Sequence, residues 1–268
     1  MPNSVRRMLL FAPPALLSIV NFRHPILTAP IYRSVSPHLA WWSTLHLLNL
    51  GLFALLGLAV YLLLDGVHNA AANLSRVALA VFIPLYCAFD ALAGLGTGLL
   101  AHLASHLPSN QTGVAESLID RHWSSGTING LAVAGSIAWV VALLSAAVAA
   151  TAPERRRLAA IAAVLIFVAG GWARTHPFTG AGGMSATPAW WLTTLAAGVV
   201  MLVIARPGVV TALLTLAALL FGAAHVPPTG PLGALCFLAA AVLLDLGLVS
   251  PLAGRSSEGH PSRLEAPA

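Results

Sequence analysis

The stretch AWWSTLHLLNLGLFALLGLAVYLLL, residues 40–64, contains no Asp, Glu, Lys or Arg in 25 positions. At about 1.5 Å per helical residue it reaches about 37 Å, more than the roughly 30 Å hydrocarbon core of a bilayer. Lipid offers no hydrogen-bond partner to a backbone amide, so a run of this length is predicted to be a transmembrane helix. Seven further apolar stretches, at about 7–22, 76–103, 127–150, 158–174, 189–205, 208–224 and 231–249, read the same way. The predicted fold class is all-α, a polytopic transmembrane helix bundle of about eight spans. Residues 1–250 form this one domain, and the polar residues 251–268 form a disordered cytoplasmic tail. Pro13 and Pro14 interrupt the first stretch, and Arg6-Arg7 ahead of a short apolar run also fits a signal peptide. Its removal would leave seven spans.

Composition excludes a soluble domain. Hydrophobic residues are 58% and charged residues 8% of the chain, with a mean hydropathy of +0.87, whereas soluble domains carry about 25% charged residues. The 13 basic residues are all Arg and lie singly or in short loop runs, which excludes a nucleic-acid stripe. With eight spans, one set of loops holds Arg6, Arg7, Arg76, Arg155, Arg156, Arg157, Arg206, Arg255 and Arg263, and the other only Arg23, Arg33, Arg121 and Arg174. The positive-inside rule then puts both termini in the cytoplasm, with Glu154-Arg155-Arg156-Arg157 as the strongest anchor. Cys87 and Cys236 fall in different apolar stretches and read as packed thiols.

Asp90 stands near the middle of the third span, where an ionised carboxylate costs at least about 2.5 kcal/mol on insertion scales. It is predicted to face the bundle interior, as the centre of a polar site or hydrogen-bonded through groups such as Thr97 or Asn129. Gly94 and Gly98 have the spacing that permits close helix packing, and Pro84 kinks the same helix. Eight of the ten histidines fall on the predicted outer side. His102 and His106, four apart, share a face at metal-ligand spacing if helical, with Glu116 or Asp120 as a candidate base. His46 is placed to pair with His102 or His225 as axial ligands of haem. Absence of any cofactor is the leading expectation, with haem or zinc as alternatives. Residues 114–123 are predicted to form a short interfacial helix.

Arg23-His24-Pro25, Thr175-His176-Pro177 and His225-Val226-Pro227-Pro228 each end an apolar stretch. Trp41-Trp42 and Trp190-Trp191 open the helices that follow the first two. This echo raises the prospect of two four-helix halves. Proline as a helix terminator and tryptophan as an interfacial anchor account for it equally well.

Residues 41–100, with Leu45-His46-Leu47, Ser75-Arg76, Ala88-Phe89-Asp90-Ala91 and Gly94-Leu95-Gly96-Thr97-Gly98, resemble uncharacterised bacterial multi-pass membrane proteins with no assigned activity. His225-Val226-Pro227-Pro228-Thr229-Gly230 adds to the likeness. The resemblance implies an integral protein of the bacterial cytoplasmic membrane and marks Asp90 and His225 for testing. The expected partners are the bilayer and a small-molecule ligand, with self-association open. The leading functional expectation is small-molecule or proton-coupled transport. A metal- or haem-dependent enzyme at the outer face and a non-enzymatic membrane scaffold are the alternatives.

Overall fold

A computed structural model describes residues 1–175, 208–223, 225 and 228–247. Helices account for nearly all of them, and no strand occurs among the described residues. In chain order they are α1 (Asn3–Asn21), α2 (Ile31–Val35), α3 (Leu39–Leu63), α4 (Ala70–Asp90), α5 (Thr97–Ala104), α6 (Thr112–Trp123), α7 (Gly126–Ala150), α8 (Arg156–Thr175), α9 (Val209–Ala223) and α10 (Thr229–Asp245). A π-helical turn, Ala91–Gly96, joins α4 to α5.

Helices overlie seven of the eight predicted apolar stretches. The eighth, 189–205, lies outside the described residues, as do His176, the Trp190-Trp191 half of the echo and the predicted tail. Three helical runs, Ile31–Leu63, Ala70–Ala104 and Ser109–Ala150, are long and apolar enough to cross a membrane, and two shorter apolar helices, Val209–Gly222 and Thr229–Asp245, join them. The outward faces of the three long runs carry Leu47, Leu58, Leu74, Val77, Val81 and Ile137, and that of α8 carries Ile161 and Val164, all exposed. Apolar side chains on both the inward and outward faces suit lipid as the surrounding medium.

The core lies where α4 packs on α7, α7 on α9, and α3 on α1 and α4, with α10 closing against α1 and α9. Aromatic rings knit these helices together: Phe82 lies 5.0 Å from Trp139, Trp139 4.9 Å from Phe221, and Phe53 4.9 Å from Tyr86, centroid to centroid. Two buried amides tie α1 to α3. Asn21 Nδ2 donates to Asn49 Oδ1 at 2.9 Å, and Asn49 Nδ2 returns the bond to Asn21 Oδ1 at 3.1 Å. Both residues are buried, and each amide satisfies the other.

The two ends of the bundle differ. At one end Arg7 pairs with Asp245 at 2.9 Å, and Arg6 donates to the Leu62 carbonyl at 3.3 Å. There Arg76 donates to the carbonyls of Leu64 and Val67 at 2.8 and 3.0 Å, satisfying acceptors that the end of α3 leaves open. At the other end α2 and α6 form a cap. Ile31, Val35, Trp42, Ala101, Ala104, Ala115 and Ile119 make up its small apolar core. The Ile31 amide donates to Asp120 Oδ1 at 2.8 Å, and Arg33 grips Glu116 through both carboxylate oxygens at 2.7 and 3.3 Å. Residues 114–123 are helical, as predicted, within α6.

Candidate functional site

Beneath the cap, four elements deliver polar side chains to one point in the apolar interior. Trp42 and His46 are four apart on α3, and Tyr86 and Asp90 are four apart on α4, so each pair shares a helix face. His24 arrives from the segment after α1, and His225 from the turn between α9 and α10. Asp90 is 1% exposed, His46 2%, His24 5% and His225 8%.

Each imidazole is held through Nδ1. His46 Nδ1 donates to Asp90 Oδ1 at 2.8 Å. His24 Nδ1 lies 2.7 Å from the Pro25 carbonyl, which can only accept, so the proton of His24 sits on Nδ1 and Nε2 carries the lone pair. His225 Nδ1 is 3.1 Å from the Tyr86 hydroxyl. Burial, with His46 beside it, pushes His24 down to about 4, which keeps that ring neutral. The ring centroids of His24 and His46 are 5.3 Å apart, of His24 and His225 5.5 Å, and of His46 and His225 6.5 Å. Trp42 covers His46 at 4.4 Å. Asp90 Oδ2, His46 Nε2, His225 Nε2 and the Thr97 hydroxyl are buried and have no hydrogen-bond partner among the described residues.

The local backbone makes room for this arrangement. A side chain at Gly94 would run into the His46 ring, and one at Gly98 would meet Trp42 Cδ1 at 2.9 Å. The glycine spacing predicted to pack helices therefore seats two aromatic side chains of α3. The π turn shifts carbonyls out of the α-helical ladder. Trp42 Nε1 donates to the Gly94 carbonyl at 2.7 Å, and His122 Nε2 donates to the Leu92 carbonyl at 2.9 Å.

Of the predicted site residues, Asp90, His46 and His225 meet, and Asp90 faces the interior as expected. Others do not join them. Asn129 donates instead to the Ser124 carbonyl at 3.1 Å, at the first turn of α7, so it is no partner of Asp90. His102 and His106 meet edge to face, centroids 4.9 Å apart, on the exposed surface of the cap end. His106 lies beyond the end of α5, and its Nδ1 donates to the His102 carbonyl at 2.9 Å, a helix-terminating bond. Glu116 and Asp120 are engaged with Arg33 and Ile31, so neither serves as a base for that pair. The haem pairing of His46 with His225 meets a steric obstacle, because His24 stands beside both rings where a macrocycle would extend.

Sequence reading left His24 and Tyr86 out of the site. The signals for them were the corners at His24-Pro25 and His225-Val226-Pro227, whose rings stand 5.5 Å apart, and the four-residue spacing of Tyr86 and Asp90. The chain matches no family model, no curated protein and no solved structure, so its chemistry is read from its own geometry.

Proposed function

We propose that the chain is a multi-pass protein of the bacterial cytoplasmic membrane, with about eight spans and both termini in the cytoplasm, that moves a small polar solute or ion through a buried polar centre at Asp90 and His46. One observation carries this reading: a carboxylate 1% exposed, held by His46 through Oδ1, with Oδ2 unpaired among the described residues. An acid kept at such cost inside an apolar bundle marks by default a path or a binding site. The unpaired Nε2 atoms of His46 and His225 supply further capacity for a ligand. The bundle sorts its arginines in keeping with this topology, since Arg6, Arg7 and Arg76 gather at one end.

The test uses proteoliposomes on a solid-supported membrane, challenged with small polar solutes and with divalent cations. At least one is expected to evoke a transient current in the wild type that is lost in Asp90→Asn. Folded protein giving no current with any of them, or equal currents in both proteins, would reject transport. A metal-dependent reaction at the same centre is the second reading, favoured by the three clustered imidazoles.

A further inference from the structure

We propose that His24, His46 and His225 together bind one divalent transition-metal ion of the zinc class through their Nε2 atoms. The inference rests on the reading that the buried centre is the working site, and it names the class of ligand held there.

Tautomer is the first argument. A histidine that ligates through Nε2 characteristically donates its Nδ1 proton to a carboxylate or a backbone carbonyl, which fixes the ring and raises its basicity. His46 has that arrangement with Asp90, and His24 has it with the Pro25 carbonyl. His225 Nδ1 faces the Tyr86 hydroxyl, and in the tautomer in which Nδ1 donates to that oxygen Nε2 carries the lone pair a metal needs. Three elements distant in sequence thus present rings whose second nitrogen is already engaged.

Spacing is the second. Imidazoles bonded through Nε2 at about 2.0 to 2.1 Å, with tetrahedral to trigonal angles at the metal, have ring centroids about 5.2 to 5.6 Å apart. The separations from His24 are 5.3 and 5.5 Å, and that between His46 and His225 is 6.5 Å. Among the described residues no three His, Cys, Asp or Glu side chains are placed to hold a metal ion as they stand. Binding therefore requires ring rotation and a movement of about 1 Å between His46 and His225. His225 lies outside both α9 and α10, so its shift need not break the hydrogen bonds of either helix.

Cost is the third. A buried nitrogen left without a partner destabilises the fold, and one ion would relieve the Nε2 atoms of His46 and His225 together. The Asp90 carboxylate behind His46 adds negative charge beside a cation. Three ligands leave a coordination position open to water or solute.

The experiment uses the full chain in detergent, stripped with chelator and titrated with Zn²⁺ and with Co²⁺ as the spectroscopic probe. One ion per chain is expected, with visible ligand-field bands for Co²⁺ and an X-ray absorption shell of about three imidazoles. His24→Gln, His46→Gln and His225→Gln should each weaken binding beyond the about 10- to 100-fold loss expected for Asp90→Asn. His102→Gln and His106→Gln should leave it unchanged. Folded wild type that binds neither ion overturns the inference. So does binding that survives loss of His46 and disappears with His102 and His106. If a glutamine variant fails to fold, the absorption shell of the wild type decides: fewer than two imidazoles overturns the proposal. Currents evoked by other solutes from protein that binds no metal would sink this inference and leave transport standing. Stoichiometric metal with no current from any solute would do the reverse.

Discussion

At the residue scale, the His46–Asp90 bond depends on a hydrogen atom at position 94. A methyl group at Gly94 would occupy the space of the His46 ring, which Trp42 covers on another side. Gly94→Ala is therefore expected to destabilise the protein by about 1 to 3 kcal/mol, the usual range for overpacking, and to displace His46 from Asp90. Thermal unfolding in detergent measures the first effect, and Trp42 fluorescence reports the second. An alanine variant as stable as the wild type, with unchanged emission, would mean that His46 has room the geometry denies it. The glycine spacing itself was legible in the sequence. Its contents were not, because small-residue spacing states only that something comes close.

At the scale of elements, two contacts set how the helices around the site are joined. Asn21 and Asn49 exchange both amide bonds between α1 and α3. Replacing either alone by Leu strands its partner and is expected to cost about 1 to 3 kcal/mol, whereas the double variant should recover part of the loss. A double-mutant cycle by thermal unfolding checks this, and strict additivity would deny the coupling. The π turn is the other contact. Trp42→Phe keeps the ring but removes the donor to the Gly94 carbonyl, and a loss of about 1 to 3 kcal/mol is expected. A Trp42→Phe variant as stable as the wild type would mean that the indole bond contributes nothing. Sequence reading found Pro84 and the glycines in this helix and not the π turn, since no local propensity favours that turn. It arises where side chains from α3 and α6 supply donors to the displaced carbonyls.

At the scale of the whole molecule, the bundle has an arginine-rich end and a capped end with the histidine centre beneath it. A reporter fused after Arg157 is expected to lie on the cytoplasmic side, on the same face as the N-terminus, because translocating three adjacent guanidinium groups is costly. Periplasmic accessibility there would invert the topology and, with it, the face from which the centre is reached. The cap is held partly by Arg33 and Glu116, whose arginine is largely exposed. Arg33→Ala should leave the unfolding temperature nearly unchanged, because a solvent-exposed pair contributes little to stability. A large fall in the unfolding temperature would show that the cap depends on that pair.

Hydropathy alone was enough to predict an all-α protein of long apolar helices, because a backbone in lipid must satisfy its own hydrogen bonds and few residue types tolerate that medium. It also singled out Asp90, since a lone acid in such a run is conspicuous whatever it touches. Which histidines join that acid was beyond one-dimensional reach. His102 and His106 have the attractive spacing and end on the surface, while His24 and His225, 201 positions apart in sequence, stand 5.5 Å apart across the bundle. Helix periodicity relates residues three and four apart. Only packing of α1, α3, α4 and the α9–α10 turn brings distant side chains to one buried point.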